Sequence, residues 1–341
     1  MRAYIKFYHP KKKDMTMKCV KVLSIAVALF GITVMSSAQT LQDVADAYNK
    51  AGELLSKGDL DGVITEMEKC VELAKKVGTD EAEEIGIKAE VNLPTYYFQK
   101  AENLNKAKDY PATLKALEAT VAAAEKYKNA GVKEKAEKTI PQIYYAMGVA
   151  DFQAQKFNEA IKNLDQAIAL DPGNVGAYFV RGVCFQQLKD EAKMEESYRL
   201  AIEKGTANGD ATNAQKAKAQ LVAYFNQAGS AAQGAKKWDD AIAAFSKTLE
   251  VDNQNSTAYY SLSVCYNEKK NWDNVISNLD KALEFRTDKD RWTLDGANFY
   301  LGTAYAGKKE NDKACECFKK VGEGNFQASA KYQIETVLKC K

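Results

Sequence analysis

A set of residues recurs along the chain at constant offsets, and this internal repeat constrains the fold more than any other feature. One copy consists of Tyr144, Met147, Gly148, Phe157, Ala160, Leu164, Ala167 and Pro172. Related copies begin at Tyr178, Phe225, Tyr259 and Asn298. Each copy contains two stretches whose apolar residues are spaced at three and four, the period of an amphipathic helix. The sequence therefore predicts stacked helical hairpins, because a single hairpin cannot bury its apolar face alone.

Small residues mark the place where the two helices of each hairpin are expected to cross. Gly148 on the first helix and Ala160 on the second leave no side chain between the two backbones. The helices can therefore approach closely at that point, while larger residues fill the space above and below it. Glycine or serine recurs at the first of these positions in the later copies, as Gly182, Gly229, Ser263 and Gly302.

These offsets resemble the tetratricopeptide repeat family, which has a 34-residue period and a W-x₂-L-G-x₂-Y…A-x₃-F…P pattern. The resemblance implies an all-α fold, a right-handed superhelical solenoid of helical hairpins. We count about seven units within a single domain of residues 39–341, near residues 44–77, 94–127, 141–174, 175–208, 222–255, 256–289 and 295–328. Residues 326–341 are predicted to form a C-terminal capping helix, of which 329–341 follow the last unit.

Three pairs of neighbouring units are separated by well over the standard repeat. Their starts lie 47 to 50 residues apart instead of 34, and the extra residues have helical patterns. Asp80 with Glu83 resembles a capping box, and Asp210 is placed to cap a helix over Ala211–Leu221. Pro94 and Pro141 are expected near the N-termini of the helices that follow. The inserted helices should project beyond the standard hairpin.

Residues 1–38 are predicted to be an export signal, with a possible upstream extension before Met15 or Met17. A short basic stretch precedes the uncharged apolar run 22–35, and Ser36–Ala38 supplies small residues for cleavage before Gln39. A membrane anchor is the alternative, but the run is shorter than the roughly 20 residues that span a bilayer. We therefore expect an exported protein without a membrane span after cleavage, in the periplasm or else at the cell surface or secreted.

The charge and the residue types after the leader exclude several classes of function. The one histidine is His9, so the mature chain lacks histidine-dependent nucleophiles and imidazole metal ligands. Once the leader is subtracted, 41 basic and 45 acidic residues remain, which does not favour nucleic acid as a partner. No phosphate-binding, dinucleotide-binding or hydrolase motif is present. We predict no catalytic residues, no cofactor and no metal.

Six cysteines follow the leader, and their spacing separates them into two groups. Cys70, Cys184 and Cys265 lie in different repeats, too far apart for disulfides, and are predicted to be buried apolar residues. Either Cys315 or Cys317 could pair with Cys340, which is close in sequence and on the predicted cap.

The resemblance also implies which residues line a concave groove, namely positions 2, 5, 9, 12 and 13 of each first helix. Position 5 is aromatic in six of seven units: Tyr48, Phe98, Tyr145, Phe179, Asn226, Tyr260 and Phe299. Position 12 adds the amides Gln186 and Asn267, together with Asn105 and Gln233. Two interpretations stay open, in which the aromatic residues either face a ligand or pack between neighbouring repeats. The Lys and Asn set by which some family members bind chaperone C-termini is absent.

The sequence thus predicts a non-enzymatic scaffold of the cell envelope, which binds a peptide or protein partner in a concave, aromatic-lined groove. One alternative is a glycan-binding module, whose aromatic residues would stack on sugar rings. Another is a structural component that self-associates through the long inserted helices.

Overall fold

The computed structural model describes residues 40–341 except 289 and 291, so the predicted leader and its cleavage site lie outside the described residues. The described residues form fifteen α-helices and one π-helical turn, with no strand among them. The prediction of an all-α fold is confirmed. The helices are α1 (Leu41–Lys57), α2 (Leu60–Val77), α3 (Asp80–Lys106), α4 (Tyr110–Lys126), α5 (Ala130–Gln153), α6 (Phe157–Leu170), α7 (Val175–Gln187), α8 (Glu191–Asn208), α9 (Ala211–Gly234), α10 (Trp238–Val251), α11 (Ser256–Glu268), α12 (Trp272–Glu284), α13 (Leu294–Gly307), α14 (Asn311–Lys319) and α15 (Gln327–Tyr332), and the π-helical turn covers Gln333–Val337.

Consecutive helices pair as seven hairpins, from α1 with α2 to α13 with α14, across the part of the chain that the structure describes. The first helix of each hairpin also lies against the first helix of the next one, whereas the second helices stay farther from each other. The stack therefore curves so that the odd-numbered helices α1 to α13 line its inside. We call these the inner helices and the even-numbered helices α2 to α14 the outer helices.

The predicted crossing points are confirmed by the packing around the glycines. A Cβ atom on Gly148 would lie 2.6 Å from Leu164 Cγ and 3.3 Å from the carbonyl oxygen of Ala160. A Cβ atom on Gly182 would lie 2.7 Å from the ring of Tyr198, which is fully buried. At these two positions any side chain would collide with the outer helix, so the glycines set how closely the two helices of their hairpins approach.

The inserted residues do not form separate helices but lengthen the inner helices, which corrects two of our predictions. Pro94 and Pro141 lie inside α3 and α5, not near their N-termini. The N-cap of α3 is Thr79, whose side chain accepts a hydrogen bond from the backbone of Ala82, and not Asp80. Asp210 does cap α9 as predicted.

Tertiary packing explains why these helices continue through proline. A proline in a helix interior costs about 3 kcal/mol, because it removes one backbone hydrogen bond and clashes with the preceding turn. The turns of α3 before Pro94 bury Ala82, Ala89 and Leu93, and a Cβ on Gly86 would lie 2.6 Å from that of Ala74 on α2. Burial along this extra length offsets the cost of the proline.

In all seven hairpins, the turn from the inner helix to the outer helix has a residue in the left-handed conformation at the same position. In the first hairpin that residue is Gly58. The other six place a long side chain there, with φ between 56° and 64°: Lys108, Gln155, Lys189, Lys236, Lys270 and Lys309. The left-handed conformation costs a non-glycine residue roughly 1–2 kcal/mol, so these turns carry a recurrent local cost.

The C-terminal cap is shorter and less regular than the single helix we predicted. It consists of α15 and the π-helical turn, and residues 338–341 are not helical. A disulfide joins Cys315 on α14 to Cys340, with 5.7 Å between their Cα atoms. Of the two pairings that the sequence left open, the structure has this one, and Cys317 is buried as a free thiol. The disulfide fastens the irregular end of the chain to the last hairpin.

No helix among the described residues combines the length and the apolar character that crossing a membrane requires.

Candidate functional site

The candidate site is the inner face of the solenoid, which we call the inner groove and define by positions 2, 5, 9, 12 and 13 of the inner helices. Residues at these spacings lie on one side of an α-helix. Apart from the buried Gly176 and Gly296, these residues range from half-buried, as for Val183 and Val264, to exposed, as for Gln153 and Gln187. The groove is therefore a continuous open surface and not an enclosed pocket.

The inner groove is almost free of charge from the third hairpin to the seventh. Glu268 is the one charged residue at these positions on α5, α7, α9, α11 and α13. Charged residues make up 28% of the whole chain, so an average surface would place about seven at the same 25 positions. Only α3 differs, with Glu102 and Lys106. The groove is lined instead by amides, small residues, valines and aromatic rings.

The predicted aromatic residues at position 5 are half-buried on the described inner helices, and their rings contact the neighbouring hairpin or their own outer helix. The Phe179 ring lies 5.8 Å from that of Tyr198 on α8. A Cβ on Gly176 would lie 2.9 Å from the Tyr145 hydroxyl, so Tyr145 covers the start of α7. Tyr48 and Phe98 pack in two further clusters of the first hairpins. The structure thus aligns these residues without gathering them into one pocket.

Only in the last two hairpins do the predicted aromatic residues form one connected group. The rings of Tyr260 and Tyr300 lie 6.2 Å apart, and those of Tyr300 and Phe299 lie 5.8 Å apart. Phe326, just before the cap, lies 5.1 Å from Phe299. This aromatic group forms the C-terminal end of the inner groove.

Trp292 belongs to the same group and was missed by the sequence analysis. Its ring stacks on Tyr260 at 5.0 Å with an interplanar angle of 10°, and the Arg286 guanidinium lies 5.2 Å from the indole. The side chain is 7% exposed, and its indole N–H finds no hydrogen-bond acceptor among the described residues. The available signal was the longer connection between α12 and α13, which is the segment that carries Trp292.

Asp290 holds this connection against α11. Its carboxylate accepts hydrogen bonds from the Thr257 hydroxyl at 3.0 Å and from the Thr287 backbone N–H at 2.6 Å. Burial opposes ionisation of Asp290, but the hydrogen bonds from Ser256, Thr287 and Thr257 outweigh it and keep its pKa below the usual value. The charge is therefore present at neutral pH and ties the connection that carries Trp292 to the start of α11.

The predicted amides present their NH₂ groups towards the inner groove. The Gln186 carbonyl oxygen accepts a hydrogen bond from the Tyr198 hydroxyl at 3.0 Å. The Asn226 carbonyl oxygen accepts one from the Thr248 hydroxyl, also at 3.0 Å. The Asn267 carbonyl oxygen is buried and has no partner among the described residues. The oxygens of Gln186 and Asn226 thus face their outer helices and that of Asn267 is buried, which leaves the NH₂ end of each amide on the groove side.

The remaining polar chemistry does not resemble a catalytic centre. Burial raises the pKa of the Cys70, Cys184 and Cys265 thiols to about 11, and all three are fully buried as predicted. Burial likewise raises the pKa of Tyr260 to about 12. Within the described residues, no three His, Cys, Asp or Glu side chains are grouped to hold a metal ion.

A second concave surface lies on the outer side of the molecule. It is an open depression of about 770 Å³ between α6 and α8, lined by Lys162, Asp165, Arg181, Lys193 and Glu196 among others. Arg181 pairs with Asp165 at 2.8 Å and contacts the Ser197 hydroxyl, so its charge is already compensated. We therefore take the inner groove as the candidate site.

Two segments of the chain match family models. Residues 148–189 match the model described as TPR repeat, and residues 226–286 match the model described as tetratricopeptide repeat. The first segment runs from the crossing point in α5 to the end of α7, and the second runs from α9 through α12. Both matches therefore cover helices whose hairpins follow the predicted repeat.

Similarity to individual proteins is more distant. The Hsp70-Hsp90 organising protein of Plasmodium falciparum (isolate 3D7) is 24% identical over 164 residues, which are 48% of this chain and 27% of that protein. The chain thus spans about a quarter of that relative's length. The solved TPR domain of P58(IPK) is 15% identical, with a TM-score of 0.32 over 87% of this chain and 80% of that one. The solved MamA protein is 20% identical, with a TM-score of 0.30 over 58% of this chain and 96% of that one. These structural likenesses are too loose to transfer a property.

Proposed function

We propose that this tetratricopeptide repeat protein is a non-enzymatic scaffold of the cell envelope. It holds a peptide or protein partner in its inner groove. Proteins of this family generally mediate protein–protein interaction and are generally not enzymes. The observation that carries the proposal is the composition of the inner groove. Five consecutive inner helices present amides and apolar residues with a single charge, while charges crowd the remaining surface.

A surface with so few charges has the composition of a protein–protein interface rather than of a surface that stays exposed to solvent. Interfaces are depleted of charged residues at their centres and enriched in aromatic residues, because charges are costly to desolvate. Half-buried valines such as Val149, Val183 and Val264 offer apolar area along the groove, and the amides beside them offer donors.

Two features support export. Residues 1–38 have the order of a secretory signal, with a basic stretch, an apolar run and small residues before Gln39. The disulfide between Cys315 and Cys340 belongs to an oxidising compartment, because disulfides are rare in the cytosol. N-terminal sequencing of the protein from the envelope fraction tests the proposal, and an intact N-terminus at Met1 or Met17 would contradict it.

Crosslinking in the native envelope tests the groove itself. A photoreactive amino acid is placed at Gln187 in the inner groove or, as a matched control, at Gln166, which is exposed on the outer helix α6. We expect a discrete crosslinked partner from position 187 and none from position 166, with identification by mass spectrometry. Crosslinks from position 166 alone would move the binding surface to the outer side.

One observation favours self-association as a second function. Ile87 and Val91 lie four residues apart on the extended part of α3 and are 57% and 56% exposed, so they place two apolar side chains together on the surface. Light scattering of the purified protein and of the double variant Ile87→Lys/Val91→Lys tests it. Equal masses for the two proteins would rule out self-association through this part of α3.

A further inference from the structure

We infer that the segment bound in the inner groove is an uncharged, extended polypeptide that is recognised mainly through its backbone carbonyl groups. This inference rests on the proposed function and specifies the chemical class of the partner. It follows from three observations: the missing charges, the orientation of the amides and the spacing of the inner helices.

The missing charges exclude a strongly charged ligand. An acidic or basic segment would lose hydration in the groove and find almost no opposite charge there, which is unfavourable for any ion. Between α5 and α13 only Glu268 could compensate a charge, and it lies at one end of its helix. A ligand without charges does not incur this cost.

The amides supply a row of hydrogen-bond donors. Gln186, Gln233 and Asn267 share position 12 on the three consecutive inner helices α7, α9 and α11. The carbonyl oxygens of Gln186 and Asn226 accept from hydroxyls of the outer helices and that of Asn267 is buried, so the NH₂ groups remain on the groove side. Their complement is a row of acceptors, and the acceptor present in every residue of a polypeptide is the backbone carbonyl.

The spacing of the donors suits an extended chain. Packed helices lie about 8–10 Å apart, so the donors recur at that interval across the groove. An extended chain advances about 3.3 Å per residue, and a polyproline II chain shows the same side every three residues, or about 9.3 Å. One ligand residue in three would therefore meet each inner helix, and the five helices α5 to α13 would hold about 12 residues.

The aromatic residues argue against a glycan in the same place. Stacking on sugar needs a free ring face, but Trp292 covers one face of Tyr260, and Phe299 contacts Phe318 at 5.7 Å and Phe326 at 5.1 Å. Trp292 itself is almost fully buried. The rings thus form a wall of the groove, and the amides and valines remain as its contact surface.

A randomised peptide library tests the inference. A phage library of 12-residue peptides is selected on the purified full chain, and the enriched peptides are sequenced and synthesised. We expect enrichment of peptides without Asp, Glu, Lys or Arg. We expect their dissociation constants to change less than about twofold between about 0.05 M and 0.5 M NaCl, since salt screens only interactions between charges.

An isosteric variant tests the amides. Gln186→Glu keeps the oxygen that accepts from Tyr198 but replaces the NH₂ donor by a second acceptor, so a bound carbonyl would be repelled. We expect about a tenfold loss of affinity, the size expected when a buried hydrogen bond is lost. Gln166→Glu on the outer helix α6 adds the same charge and should leave affinity unchanged. Circular dichroism verifies that both variants are folded.

The outcomes separate the inference from the proposed function. Enrichment of charged peptides with salt-dependent binding would overturn the inference and leave the scaffold proposal standing. Equal affinity of Gln186→Glu and the unmodified chain for neutral peptides would also overturn it. Binding to neutral glycans on an array, with no peptide enriched, would replace the polypeptide by a sugar. Failure of both selections, together with no crosslink from position 187, would overturn the proposed function itself.

Discussion

The two sides of the fourth and fifth hairpins differ in how they use polar residues. On the outer side, Glu195 accepts from Arg199 and from Lys247 on the next outer helix, each at 2.9 Å, and Arg199 also reaches Glu250 at 2.9 Å. On the inner side, the same hairpins carry Gln186 and Asn226, which are uncharged and bonded to their own outer helices. Ion pairs thus connect neighbouring hairpins on the outer side, while amide NH₂ groups on the inner side remain as donors for the proposed ligand.

This difference shows why a groove can stay open without weakening the array. Ion pairs and the glycine crossing points hold the hairpins together away from the groove face. The groove face therefore contributes less to the free energy of unfolding than the opposite face of the same inner helices. The four predictions below test that separation, beginning with the largest expected effect.

The largest effect compares two glycines on different faces of inner helices. Gly182→Ala would place a methyl group 2.7 Å from the buried Tyr198 ring, and we expect a loss of about 3 kcal/mol in the free energy of unfolding. Gly52→Ala on the groove face has no atom within 4 Å of its Cβ, and alanine favours helix, so we expect a gain of up to about 1 kcal/mol. Urea unfolding followed by circular dichroism measures both. If both variants lost a similar free energy of unfolding, the groove face would contribute as much to stability as the face that packs on the outer helix.

The second effect concerns Tyr260, whose ring is both in the groove and stacked on Trp292. We expect Tyr260→Ala to lower the free energy of unfolding by about 2 kcal/mol, since half of a large ring and its stacking partner are lost. Affinity of the folded protein for neutral peptides should fall by less than about threefold, because Trp292 covers one face of the ring and leaves little of it for a ligand. Asn226→Ala is the control and should affect stability less. An unchanged melting temperature with a large loss of affinity would make Tyr260 a ligand contact.

The third effect lies on the outer side, at Glu195. Burial raises its pKa, but the hydrogen bonds and charges of Lys247 and Arg199 lower it by more, so the pKa is below the usual value. A lowered pKa means that the carboxylate stabilises the fold above its unfolded pKa of about 4.3 and that this contribution is lost as the pH falls through the folded pKa. We expect Glu195→Gln to cost about 1 kcal/mol at pH 7, with the difference from the unmodified chain shrinking at acid pH.

Urea titrations at several pH values measure this difference. Glu159→Gln is the control, because Glu159 is exposed on α6, and it should change stability by less than about 0.5 kcal/mol. A difference for Glu195→Gln that persists at low pH would mean that the charge is not its cause.

The smallest effect concerns the turns that connect each inner helix to its outer helix. Lys189 has φ near 60°, a conformation that costs a lysine energy but not a glycine. We expect Lys189→Gly to raise the free energy of unfolding by about 0.5 kcal/mol, the part of that cost left after the entropy of glycine. Lys162→Gly in the interior of α6 should instead lower it by about 1 kcal/mol. A loss in both variants would mean that the lysine side chain stabilises the turn.

The hairpins could be predicted from the sequence because the residues that recur in each repeat are those that pack between its two helices. Gly148 with Ala160 marked the crossing point, and the structure has close backbone contact there. The three scattered cysteines were predicted as buried residues for the same reason, since each occupies a core position of its own unit. Offsets of this kind survive in sequence because every unit repeats the same contact.

The prediction failed where tertiary contacts override a local rule. Proline is common at the first helical position, so Pro94 and Pro141 were placed near helix starts, but the burial of Ala82, Ala89 and Leu93 extends α3 through its proline. Trp292 could not be assigned because its position depends on a non-repeating connection and on the Asp290 hydrogen bonds. The directions of Gln186 and Asn226 depend likewise on a hydroxyl from another helix, which no spacing reveals.

The near absence of charge in the inner groove has a consequence for acidity. No histidine follows His9, the pKa of Tyr260 lies at about 12, and Glu268 is the single carboxyl group at groove positions from α5 to α13. Almost nothing on this surface therefore gains or loses a proton between about pH 5 and pH 9. For the exported protein that we propose, binding in the inner groove should therefore change little when the acidity of the surrounding medium changes.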